Sequence, residues 1–296
     1  MSTEPAAIER ESFLARHHFL LRRLHSLSGI VPIGMFLMFH LFTNMQMAVK
    51  PLGLSEWFLH EDAFQHEVEW IHGTIPALVL VEIFGLWLPI AFHAGLGIVY
   101  TFTGTNNVKH YRYYGNVRYV IQRVTGMVAL LFVFLHVATL RWGWDIFGWY
   151  TPFYVSGYTA DGTEVPLASA SLALALQGGL DHNIVLAVLV SALYIVGAYS
   201  AVFHWANGLW TSAITWGATT TESAMRRWGY VCGLVGVSLS VFTALALMGS
   251  WMYELSPDER EAMQILIDGT DPALVETMPE VPSATVPASS ADAVSY

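Results

Sequence analysis

The sequence predicts an all-α integral membrane protein, a bundle of five transmembrane helices, and three observations carry that prediction. Only 12% of the 296 residues are charged, against roughly 25% in soluble globular domains, and mean hydropathy is +0.48. Five runs nearly free of Lys, Arg, Asp and Glu are long enough to cross ~30 Å of hydrocarbon, which takes about 20 apolar residues. The cations between those runs alternate between a rich side and a poor side. A soluble enzyme is excluded at this point.

In chain order, residues 1–23 form a cytoplasmic N-terminal segment and the first helix covers about 24–49. Arg22 and Arg23 before an apolar run also suit a signal peptide, but the run exceeds a signal core of about 7 to 15 residues and no clear cleavage site follows, so the helix is retained. External residues 50–73 contain an amphipathic, carboxylate-rich stretch, Ser55 to Trp70, expected as one surface helix. The second helix covers about 74–103 with one interruption, Glu82, and the third about 120–141. External residues 142–181 include Val165 to Leu180, apolar but too short to span; it is expected to cap the outer face or extend helix four. The fourth and fifth helices cover about 182–208 and 228–253. Residues 254–296 form an acidic external tail whose Pro, Ser, Ala and carboxylates from about Ser256 predict a mobile segment. Together 24–253 make the membrane domain. Pro32, Pro76 and Pro89 lie in or at the ends of spans, where membrane helices tolerate them.

Ten cations (Arg10, Arg16, Arg22, Arg23, Lys109, Arg112, Arg118, Arg123, Arg226, Arg227) fall on one side and three (Lys50, Arg141, Arg260) on the other. The rich side is cytoplasmic, so the N-terminus is inside and the C-terminus external. Most carboxylates then lie outside, which makes the net charge of −10 an external feature and implies no nucleic-acid partner.

The lone Cys232 excludes an internal disulfide, a Cys-ligated zinc site and a thiolate-held cluster, which leaves histidine as the metal ligand. Ionisable residues inside a membrane are costly and point to function, and four histidines lie on four different spans: His40, His93, His136 and His204. A single one is equally explained by a hydrogen bond to a neighbouring helix. Depth sorts the four: at 1.5 Å per residue His40 lies about 15 Å before Lys50 and His136 about 7.5 Å before Arg141, in the outer half. His93 lies about 16 Å past Glu82 and His204 about 34 Å past Asp181, in the inner half. The pairs are therefore His40 with His136 and His93 with His204. Two imidazoles facing each other across a bundle are what a six-coordinate haem requires, so the bundle is expected to enclose two haems b. Glycines within spans allow close approach to a porphyrin but serve helix packing as readily. Arg22, Arg23, His25, Ser26 and Arg123 at the inner ends are candidates to hold propionates, or ordinary positive flanks. A carboxylate di-iron site lacks its Glu residues, and retinal chemistry lacks an intramembrane lysine.

Four segments, LHSLSGIVPIGMFLMFHLFTN at 24–44, VEIFGLWLPIAFHAGLG at 81–97, QRVTGMVALLFVFLH at 122–136 and FHWANGLW at 203–210, resemble the cytochrome b membrane-anchor subunit of succinate dehydrogenase. The resemblance is to the single-chain, five-helix, dihaem branch, which includes fumarate reductase cytochromes, and covers about residues 20–250. It places His40, His93, His136 and His204 on the family's four haem ligands, in the pairing given by depth. It further implies a flavoprotein and an iron–sulfur subunit docked on the cytoplasmic face, electron flow from succinate to a quinone, usually menaquinone, and a succinate site on a partner chain. The location implied is the inner membrane of a bacterial cell.

Glu82, on the outer side of helix two, is a candidate catalytic proton relay for quinone, or a carboxyl hydrogen-bonded within the bundle. Some fumarate-reducing members carry a carboxylate in the fourth helix; here no acidic residue lies between Asp181 and Glu222, which tilts the reading toward succinate oxidation. The alternatives are fumarate reduction and a stand-alone dihaem cytochrome oxidising quinol or ascorbate, which needs no soluble partner. Segment 142–181 and the tail look longer than in compact members.

Overall fold

The computed structural model describes residues 16–58, 60–105 and 107–270. Five helical spans, His18–Ala48, Leu78–Thr103, Tyr114–Leu140, Ile184–Thr215 and Glu222–Met252, are long and apolar enough to cross a membrane. The elements are α1 (His18–Ile30), α2 (Pro32–Met45), α3 (Ala63–Thr74), α4 (Leu78–Val81), α5 (Leu88–Thr103), α6 (Tyr114–Leu140), β1 (Ser156–Tyr158), β2 (Glu164–Pro166), α7 (Ala168–Gln177), α8 (Ile184–Thr215), α9 (Glu222–Met252) and α10 (Pro257–Thr270). Pro32 divides the first span into α1 and α2. Pro89, one residue into α5, removes the N–H that would bond back to residue 85, and the turn before it, Glu82–Trp87, widens to a π-helix.

Alternate ends meet as an up-and-down bundle requires. Lys50, after the first span, reaches Tyr253, after the fifth, while Arg23 near the start of the first lies 5.4 Å over Trp216 at the end of the fourth. α6 packs along α8, and α9 packs on both α8 and α2. Four helices run beyond the apolar stretches of the sequence, all at the end shared by Arg22, Arg118, Thr215 and Glu222. Each extension is six or seven residues, about 9–10 Å. Charged residues there continue the helix because an end outside hydrocarbon no longer has to be apolar.

The opposite end carries a packed cap, of which the sequence reading anticipated the segment 165–180 but not the rest. The amphipathic stretch expected as one helix over 55–70 is a 3-10 turn, Ser55–Trp57, followed by α3, whose N-terminus Asp62 fixes by accepting from Gln65 N at 3.1 Å. The second span starts at Leu78, after a turn with Ala77 at φ 52°, and not at Thr74. The stretch 165–180 lies in this cap as α7, buried from Ala168 to Leu176 and ending at Gly178 (φ 83°) and Gly179 (φ 77°). The tail expected to be mobile from Ser256 instead forms α10: Ser256 Oγ accepts from Glu259 N at 3.2 Å, Glu259 Oε2 accepts from Ser256 N at 2.7 Å, and Pro257 opens the helix. Residues 271–296 and 1–15 lie outside the described residues.

Phe64, Val68, Leu167, Leu172, Leu174 and Met263 form the core of this cap. Buried Gln65 ties it together, accepting from Ala168 N at 2.7 Å and donating to the Val155 carbonyl at 3.0 Å. The hairpin β1–β2 turns at Asp161, whose carboxyl the Thr159 hydroxyl and Thr163 N–H hold below the usual carboxylate range. Tyr253 is the joint between bundle and cap: its hydroxyl donates to Glu259 Oε1 at 2.7 Å and faces Asp62 Oδ2 at 3.3 Å. Burial first, then the Glu259 and Asp62 carboxylates, push that hydroxyl above the ordinary phenol range.

Tyr253→Phe leaves the Glu259 carboxylate, 6% exposed, short of a donor, which costs about 1–3 kcal/mol. Hydrogen exchange over 257–270 should quicken while the five spans stay protected; unchanged exchange would remove Tyr253 as the joint.

Candidate haem centre

The four span histidines meet as two crossed pairs. His40 and His136 have ring centres 5.8 Å apart at 77°, and His93 and His204 have theirs 6.0 Å apart at 89°. Two metal–nitrogen bonds of about 2 Å, plus ~1.1 Å from each nitrogen to its ring centre, put two axial imidazoles about 6 Å apart. Both pairs fit one metal between their rings. Among the described residues no group of three or more His, Cys, Asp or Glu could hold a metal ion; a metal between the rings of one pair would have two protein ligands, the number that a haem iron leaves free for axial ligation.

All four rings are half-buried, and each has a neighbour at Nδ1. His93 Nδ1 donates to the His25 carbonyl at 2.9 Å, and His204 Nδ1 to the Gln122 carbonyl at 2.9 Å. A carbonyl only accepts, so both rings carry the proton on Nδ1 and keep an Nε2 lone pair for a metal. Four residues beyond each carbonyl stands a glycine. A Cβ at Gly29 would run into the His93 ring, and one at Gly126 would come 2.7 Å from His204 Cε1. The same device, a carbonyl at one position and a glycine one turn on, therefore seats both His93 and His204. The other pair is held differently: His136 Nδ1 shares a hydrogen bond with the buried Tyr194 hydroxyl at 3.0 Å, and Asn44 Nδ2 stands 3.4 Å from His40 Nδ1 while donating to the His40 carbonyl at 2.7 Å. A phenylalanine one turn before each of these two packs on its ring, Phe36 on His40 and Phe132 on His136.

The remaining sequence candidates divide. His25 stacks on His93 at 4.0 Å and 8°, with Tyr100 edge-on to it and Arg22 lying 5.8 Å over Tyr100. Arg23 Nε, His25 Nδ1, Ser26 Oγ and Tyr100 Oη are buried without a protein partner; this is the donor set that anionic propionates would satisfy. Arg123 lies against Gly104 and packs 4.0 Å over Tyr119. Glu82 is in an ion pair, accepting from Arg141 Nη2 at 3.1 Å. Tyr194, Asn44, Gln122 and Tyr100 are site residues that the sequence reading missed; only Asn44, one turn from His40, carried a local signal.

Membrane helices that present opposed histidines for a haem define the class, a cytochrome b. Over 222 residues, 75% of this chain, the sequence is 33% identical to the succinate dehydrogenase cytochrome b558 subunit of Bacillus subtilis (strain 168), and the match covers 92% of that protein. The chain belongs to the family of succinate dehydrogenase cytochrome b subunits, multi-pass proteins of the bacterial membrane. No family model matches it, and no solved structure matches it.

Gly126→Ala should displace the His204 ring and lower haem per chain in the purified protein. Gly95→Ala, where a Cβ meets nothing within 4 Å, should leave haem unchanged; equal haem in both variants would contradict the seating role of Gly126.

Proposed function

We propose that this chain is the dihaem membrane anchor of a succinate:quinone oxidoreductase, carrying electrons between an iron–sulfur subunit and a quinone, with menaquinone the expected type. The observation that carries the reading is the pair of ring spacings, 5.8 and 6.0 Å, each suited to two axial nitrogens on one iron. When bound, each haem supplies a one-electron carrier, and the chain's own part is to hold the two at different depths. His93 and His204 serve the inner one, His40 and His136 the outer one. Arg22, Arg23, His25 and Ser26, with Tyr100, are assigned to propionates of the inner one, with Arg123 beyond them.

The helix ends that project past the apolar runs carry five cations, Arg22, Arg23, Arg118, Arg226 and Arg227. We assign this face to the cytoplasm and to docking of the flavoprotein and iron–sulfur subunits, with succinate oxidised on the partner. The cap and C-terminus then lie outside. Glu82 sits in the π-turn and accepts from Arg141 Nη2 at 3.1 Å; as a proton relay it would take up and pass on protons at the outer membrane edge, where quinone reduction takes up protons as well as electrons.

A reduced-minus-oxidised spectrum with haem per chain tests the reading. Two b-type haems per chain are expected, at least one reducible by succinate. His93→Ala and His204→Ala should remove the same haem, and His40→Ala and His136→Ala the other; a colourless protein, or one haem whichever ligand is changed, would contradict it. Glu82→Gln should slow quinone turnover at full haem content, and unchanged turnover would end the relay assignment.

A further inference from the structure

At the inner end of the bundle a chain of hydrogen bonds leads from a cation to one of the four histidines. Arg118 Nε donates to Asn207 Oδ1 at 2.8 Å, and its Nη2 reaches the same oxygen. Asn207, 4% exposed, donates from Nδ2 to Gln122 Oε1 at 2.7 Å. Gln122 closes on His204 twice: its side-chain amide donates to the His204 carbonyl at 3.0 Å, and its own carbonyl takes the His204 Nδ1 proton at 2.9 Å. One turn of α6, from Arg118 to Gln122, and one turn of α8, from His204 to Asn207, hold the whole chain. The guanidinium lies 4.0 Å over Trp210 and 5.5 Å over Tyr114, and neither ion pair among the described residues includes it.

We propose that Arg118 is a positioning residue for the inner pair: Asn207 and Gln122 hold its uncompensated charge beside His204, which raises the reduction potential of the haem bound by His93 and His204. The proposal rests on the assignment of those two histidines as haem ligands. Reduction lowers the charge at the iron by one, so a fixed cation held half-buried at the end of the bundle favours the reduced form. The chemistry of the holder matters. A carboxylate at position 207 would grip the guanidinium as firmly but cancel its charge, whereas an amide oxygen grips it and leaves the charge in place. The double contact from Gln122 also fixes the angle of the His204 ring, so the charge acts on a ligand that cannot turn away.

The test is a redox titration of the haems in the assembled complex, following each haem separately, in the parent and in Arg118→Gln, Asn207→Asp and Arg118→Lys. Haem per chain in the parent comes first, since a parent without haem overturns the ligand assignment itself. With haem present, Arg118→Gln and Asn207→Asp should each lower the midpoint of one haem by about a tenfold change in its reduction equilibrium, ~59 mV for one electron. The other haem should not move, and Arg118→Lys should stay near the parent. Parental potentials in Arg118→Gln at full haem content would overturn the proposal, as would an equal fall in Arg118→Lys, which would make the effect one of shape. Should Arg118→Gln fail to assemble, Asn207→Asp is read against Asn207→Ala: both lose the donor to Gln122 and only the Asp variant cancels the charge, so the proposal requires the larger fall in Asn207→Asp and equal falls would overturn it.

Discussion

An imidazole inside a bilayer has two polar nitrogens and no water to satisfy them, and the arrangement of this bundle depends on how that constraint is met. A nitrogen offered to a metal must stay bare, so the other needs a partner from the protein. In a membrane helix the nearest acceptors are carbonyls already bonded to the N–H four residues on. A second donor reaches such a carbonyl only where the side chain one turn along is missing. Gly29 and Gly126 provide that opening, which is why His93 rests on the His25 carbonyl and His204 on that of Gln122. The outer pair has no such glycines and takes side chains instead, Tyr194 for His136 and Asn44 beside His40. The two pairs thus have similar spacing but different supports, and the inner one is connected through Gln122 and Asn207 to the charged face.

That asymmetry extends to the whole molecule. At one end bare helices project past the apolar runs with Arg22, Arg23, Arg118, Arg226 and Arg227. At the other end α3, α7, α10 and the hairpin bury an apolar core of their own, held to the bundle by Tyr253 and by Gln177, which donates to the Ser250 and Tyr253 carbonyls at 2.8 and 2.9 Å.

How much of this was legible follows from the physics of each signal. The spans and the four histidines were readable because charge is excluded from hydrocarbon and helices rise by a fixed amount per residue; the same arithmetic gave the pairing. Span ends were less legible, since an apolar run marks the hydrocarbon and not the helix. The surface helix broke at Asp62, and the tail proved helical over Pro257–Thr270; both had capping signatures, Asp62 with Gln65 and Ser256 with Glu259, hidden by a composition that reads as loop. Gln122, Asn207 and Tyr194 were not readable, because they act across helices at separations of 58 to 85 residues, and one sequence carries no sign of which polar residues face each other.

The central claim is that each crossed pair is bridged by one iron. Electron paramagnetic resonance of the air-oxidised protein tests it most directly. With imidazole planes near perpendicular, 77° and 89°, neither ligand singles out one of the iron's π-symmetry orbitals, so each ferric haem should give a low-spin signal of large anisotropy. The account predicts two such signals, each lost with either histidine of its pair. A high-spin ferric signal as the main species, or a single low-spin signal that survives loss of any one of the four histidines, would contradict it.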